Sequence, residues 1–233
     1  MNSDSGSGVR LELAERATRL LSSAAPLDAA LLATAVVGGP RQEVLDPSAL
    51  DSTELCSWLR EATSTGANRV LDPALGTNVV LLPDAIELRQ GPSGLRVDVA
   101  GGVRVLELVR VAGGRPGRRT VDWADLRDGL HRALRLAAQV LDRIDPAGRL
   151  SQVAAAASVV GADVGRRPAV LPRSSVGVVA LGYGPARTVA TLTPPVRARE
   201  ALRSGQLAEE LSERLGMQHD GPRELLPDAT AAG

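Results

Sequence analysis

From Leu95 onward, apolar residues recur at every second position. Leu95, Val97 and Val99 alternate with Arg96 and Asp98, and after Gly101-Gly102 the run from Val103 to Val111 resumes the alternation. Successive side chains of a strand point to opposite faces, so this spacing predicts half-buried strands joined by a tight turn. Val79 to Leu82 and Ala85 to Gln90 extend the pattern backwards. They are split by Pro83-Asp84 and followed by the break Gly91-Pro92-Ser93-Gly94. Residues 78–111 are therefore predicted to form an antiparallel meander of three or four strands.

The period then changes. From Asp122 to Ile144, Leu126, Leu130, Leu134, Ala137, Leu141 and Ile144 fall on one side of a long helix, with Asp122 as its N-cap and Pro146 as its stop. A stripe of this kind needs a sheet to cover. The expected fold class is α+β: an antiparallel β-meander covered by a long helix, with a helical N-terminal segment. The core must be built from Leu, Val and Ala, because the chain has no phenylalanine, one tyrosine (Tyr183) and two tryptophans (Trp58 and Trp123).

The flanks are assigned from propensity and breakers. Residues 1–8 are expected to be a flexible leader, and Val9 to Ser23 a first helix. Ala29 to Val37 is predicted as a short helix ended by Gly38, Gly39 and Pro40. Asp51 or Ser52 caps a further helix whose Leu55, Trp58, Leu59 and Ala62 face the core. These form a helical layer or subdomain over 9–75, with an α+β domain over 76–216 and a flexible tail over 217–233. Leu150 to Val160, rich in alanine, reads as another helix. Val176 to Leu181 and Thr188 to Leu192 read as strands around a turn at Gly182-Tyr183-Gly184-Pro185, and Val196 to Leu215 as a final helix.

Composition excludes several chemistries. All 27 basic side chains are arginine, so no lysine can form a Schiff base, serve a phosphate loop or act as a general base. Two histidines and one cysteine cannot build a cage for a structural zinc, and Cys56 alone cannot form an internal disulfide. No metal and no cofactor is expected. The formal net charge is zero, so no overall field draws nucleic acid or a membrane to the chain. With no secretory signal and no apolar span, a cytoplasmic location is expected.

Glu107 is the most notable carboxylate. Period two sets it among Val103, Val105, Val109 and Val111, where burial would raise its pKa. The structural reading gives it an arginine partner on a neighbouring strand, such as Arg96 or Arg89. Asp84 with Glu107 suggests the paired acids of a nuclease, but the lysine such a site uses is absent. His131, Ser174 and Ser175 lack a nucleophile elbow, and Cys56 has no basic neighbour to activate it. His219 falls in the tail and is expected to be solvated. Arg115, Arg118 and Arg119 in one glycine-rich loop, and Arg166, Arg167 and Arg173 in another, form two clusters that suit phosphate contact. Residues 150–167 carry a faint helix-turn-helix pattern cut short by Pro168.

The order predicted over 78–216, a meander, a long helix, two strands and a helix, resembles the small α+β domains of type III secretion chaperones. That likeness, in element order alone, implies an exposed sheet face or edge strand that holds a partner. The leading expectation is a non-catalytic cytoplasmic protein-binding module, adaptor or chaperone-like, whose partner is another protein or a second copy of itself. The alternative is a nucleic-acid-binding or regulatory module using the arginine clusters at 115–119 and 166–173. A metal-independent enzyme around Glu107 comes third.

Overall fold

A computed structural model of the chain describes residues 3–22, 31–109, 111–113, 119–150, 152–160, 178–180, 187–191 and 195–219. The fold is α+β, and its centre is a seven-stranded antiparallel sheet. The helices are α1 (Ser3–Ser22), α2 (Thr53–Ser64), α3 (Trp123–Ile144), α4 (Pro195–Ser204) and α5 (Gln206–His219). The strands are β1 (Leu31–Gly39), β2 (Asn78–Leu82), β3 (Ala85–Gln90), β4 (Ser93–Asp98), β5 (Val103–Leu108), β6 (Val111–Gly113), β7 (Arg119–Asp122), β8 (Gln152–Val160), β9 (Val178–Ala180) and β10 (Arg187–Thr191). The main sheet runs β10-β8-β1-β5-β4-β3-β2, and β6-β7-β9 make a small second sheet.

The meander is present as β2 to β5. Its turns fix the register: Pro83-Asp84 pairs Leu82 with Ala85, Gly91-Pro92 pairs Gln90 with Ser93, and Gly101-Gly102 lets Val97 face Val103. One face of the sheet carries Ile86, Leu88, Leu95, Val97, Val103 and Val105, which join Leu126, Leu130, Leu134 and Leu141 of α3 in the main core. Helix α2 adds Leu55 and Leu59 to that core, with Trp58 and Ala62 partly buried against it. Ser52 caps α2 by accepting from the Leu55 N–H at 3.2 Å.

Two expected helices are strands. Residues 31–39 and 152–160 form β1 and β8, side by side in the middle of the sheet. Both are buried on two faces. Leu32, Val36, Val153, Ala155 and Ala157 join the main core, while Ala33, Ala35, Ala154 and Ala156 lie under α1 with Leu13, Ala17 and Leu21. An alanine floor lets α1 approach the sheet closely. At the end of β1, a Cβ on Gly38 would meet the Leu150 side chain at 2.5 Å. Since β1 pairs with both β5 and β8, residues 31–39 belong to the same sheet as the meander. A strand at 152–160 also leaves no helix-turn-helix there.

Other differences are smaller. Helix α1 begins at Ser3, inside the segment expected as a leader, and α5 runs to His219, into the segment expected as a tail. The final helix is two helices, broken at Gly205 with φ +87°. The strand expected from Val103 to Val111 ends at Leu108, and β6 starts a different sheet. Strands β9 and β10 also lie in different sheets, so they are not a hairpin pair. The element order behind the likeness to secretion chaperones is therefore not the order this chain has.

Asp145 fastens the C-terminal end of α3. Its buried carboxylate accepts from the backbone N–H groups of Arg149 at 3.0 Å and Leu150 at 2.9 Å, and from Arg199 of α4 at 2.8 Å. The carboxylate thus receives three donors where the chain turns from α3 into β8.

Candidate functional site

Glu107 faces α3, as its period-two position requires. Its partner is Arg132 of that helix, whose Nε donates to Oε1 at 3.0 Å. Arg89 and Arg96, the partners expected from neighbouring strands, lie elsewhere because they project from the opposite face. Burial raises the Glu107 pKa, and the Arg132 hydrogen bond and charge offset only part of that rise. Oε2 has no hydrogen-bond partner among the described residues. Asp84 does not join Glu107. It lies in the β2–β3 turn, where its Oδ1 is 3.5 Å from Arg96.

The carboxylate that sequence reasoning missed is Glu87. It stands opposite Arg96 on β4, and Arg96 stands opposite Arg104 on β5. The side chains form one row across three strands. Arg96 Nη1 donates to Glu87 Oε1 at 3.1 Å, Arg104 Nη2 lies 3.3 Å from the same oxygen, and Arg89 Nε donates to Oε2 at 2.8 Å. Burial pushes the Glu87 pKa up, but the Arg89 and Arg96 hydrogen bonds and the charges of Arg89 and Arg104 hold it below the usual range. Burial lowers the Arg104 pKa, against the pull of Glu87. The signal was in the sequence: the two turns that set the register of β3, β4 and β5 also set this row.

Beside the row lies a cavity of ≈ 670 Å³ between α1 and the turn end of the meander. Arg16 and Arg19 reach it from α1, Arg41 from the segment after β1, and Arg96 from β4. Asp84, Asp98 and Glu43 supply the negative charge. Asp98 Oδ1 accepts the Gly102 N–H at 2.6 Å, so it is committed to the β4–β5 turn. Arg16 is partly buried and donates to the Gly38 carbonyl at 3.0 Å. Desolvation lowers its pKa, against the opposing charges of Asp98 and Glu12, and Arg41 and Arg19 add smaller lowering contributions.

At the edge of the sheet, β2 pairs with β3 and with no other described strand. Its sequence is NVVLL, without charge or proline. Leu81 is 51% exposed, and Leu75, three residues before the strand, is 59% exposed. The two-residue connection makes Leu82 and Ala85 a hydrogen-bonded pair. Pairs alternate along an antiparallel ladder, so the backbone groups of Val80 point to β3 and those of Val79 and Leu81 point outward.

Of the remaining candidates, Arg115, Arg118, Arg166, Arg167, Arg173, Ser174 and Ser175 lie outside the described residues. Arg119 is placed only as the first residue of β7. His131 is partly buried, with Nε2 2.9 Å from Glu209 Oε1, and Glu209 also accepts from Arg127 at 2.9 Å. Cys56 is partly buried on α2, its Sγ 3.8 Å from the Leu50 carbonyl. Among the described residues no group of three or more His, Cys, Asp or Glu could hold a metal ion, and no helix is long and apolar enough to cross a membrane. No protein-family model, no curated protein and no solved structure matches this chain.

Proposed function

We propose that this chain is a protein-binding module that takes an extended segment of its partner onto the free edge of β2. The observation that carries the reading is the unguarded state of that edge. Proteins protect exposed edges with charges, prolines or bulges, because unpaired N–H and C=O groups recruit other strands. Strand β2 has neither charge nor proline among its residues. Outward backbone groups at Val79 and Leu81 give an added strand its main-chain hydrogen bonds. Leu81, half exposed, and Val79, partly buried against the core, offer apolar contact on the α3 side. The fitting partner is an extended peptide with apolar residues at every second position.

Selection from a displayed library of unstructured peptides tests this. Selected peptides are expected to share that alternation. They should bind the wild type and fail to bind Leu81→Lys, which places a guarding charge on the edge. Peptides without alternation, or equal binding to Leu81→Lys, would contradict the reading.

A further inference from the structure

We propose that the cavity between α1 and the meander is a binding site for a small phosphate ester. It rests on different residues from the β2 edge and stands or falls apart from it. Four arginines from three separate parts of the chain, Arg16, Arg19, Arg41 and Arg96, converge on one ≈ 670 Å³ space. Like charges brought together in a partly desolvated place repel, so such a cluster needs counter-charge. Arg96 has it from Glu87 and Asp84, and Arg16 lies in the field of Asp98 and Glu12. The side chains of Arg19 and Arg41, both exposed, make no ion pair or hydrogen bond among the described residues.

The ligand class follows from the donors. Guanidinium forks arriving from several directions suit a tetrahedral dianion, which offers oxygens to more than one fork. The cavity falls within the ~300–1,000 Å³ typical of small-molecule sites. Its apolar lining is aliphatic (Leu20, Val37, Val99 and Ala100), so no ring is present to stack on a nucleobase. Glu43 is an exposed acid at the same cavity and can accept from a hydroxyl on the ligand.

The test is calorimetric titration of the full chain with inorganic phosphate and with glycerol 3-phosphate at low ionic strength. Saturable binding is expected, with a Kd of about 1 mM or tighter for the ester. The double variant Arg19→Ala with Arg41→Ala is expected to weaken it by at least about tenfold. A control with the same loss of charge, Arg60→Ala with Arg69→Ala, alters two exposed arginines away from the cavity and is expected to bind as the wild type does. Because Arg19 and Arg41 hold nothing in place, their removal should leave the melting temperature unchanged or raise it. Glycerol 3-phosphate should raise the melting temperature of the wild type and not of that variant. No saturable binding, or equal weakening in both double variants, would overturn the proposal.

Discussion

Glu87 and Arg104 stand 3.3 Å apart on the sheet face turned away from α3, two strands from one another with Arg96 between them. Both are nearly buried, at 4% and 7% exposure. Removing the acid takes a close counter-charge from buried Arg104, which has Arg96 and Arg89 as neighbours. Glu87→Ala is expected to cost about 3–5 kcal/mol, toward the lower end because Arg89 and Arg96 still reach water. Urea denaturation measures it. Glu87→Met combined with Arg104→Leu should recover part of the loss, since the buried arginine goes too.

Glu87 and Glu107 should respond to acid with opposite signs. The folded-state pKa of Glu87 is depressed, so its contribution is present above the ordinary glutamate pKa and is lost as pH falls through the folded value. The folded-state pKa of Glu107 is raised, so its ionised form costs stability above that value. Protonation as pH falls through it therefore favours the folded state. Relative to wild type, Glu87→Gln should lose less stability between neutral and acid pH, and Glu107→Gln should lose more. Stability measured across that range for the three proteins checks both signs.

Packing on the two faces of the sheet differs in kind. Leu134 is fully buried in the α3 core, and Leu134→Ala is expected to cost ~2–5 kcal/mol by leaving a cavity. Under α1 the limiting quantity is room. Ala35 is fully buried there, and Ala35→Leu is expected to cost ~1–3 kcal/mol by lifting α1 from the sheet. Thermal unfolding of the two variants separates a lost contact from a forced one.

What could be read from the sequence followed burial. The meander and α3 each bury one face, so their periods of two and about 3.6 were visible. Strands β1 and β8 bury both faces, so neither alternates. Their alanines, needed to admit α1, carry a helical propensity that misled. Glu107 was placed on the correct face, but its partner came from a helix 25 residues later in the chain, which strand register alone cannot supply. The Glu87 row was within reach of that register. The cavity was not, because Arg16, Arg41 and Arg96 meet only once β1 is a strand and α1 lies upon it.

Amide hydrogen exchange at β2 tests the central claim most directly. In the free chain the Val79 and Leu81 amides should exchange fast, facing water, while that of Val80 is protected by β3. With a selected alternating peptide bound, Val79 and Leu81 are expected to slow together and Val80 to change little. If binding leaves Val79 and Leu81 unprotected, the partner is held elsewhere and the edge-strand account is wrong.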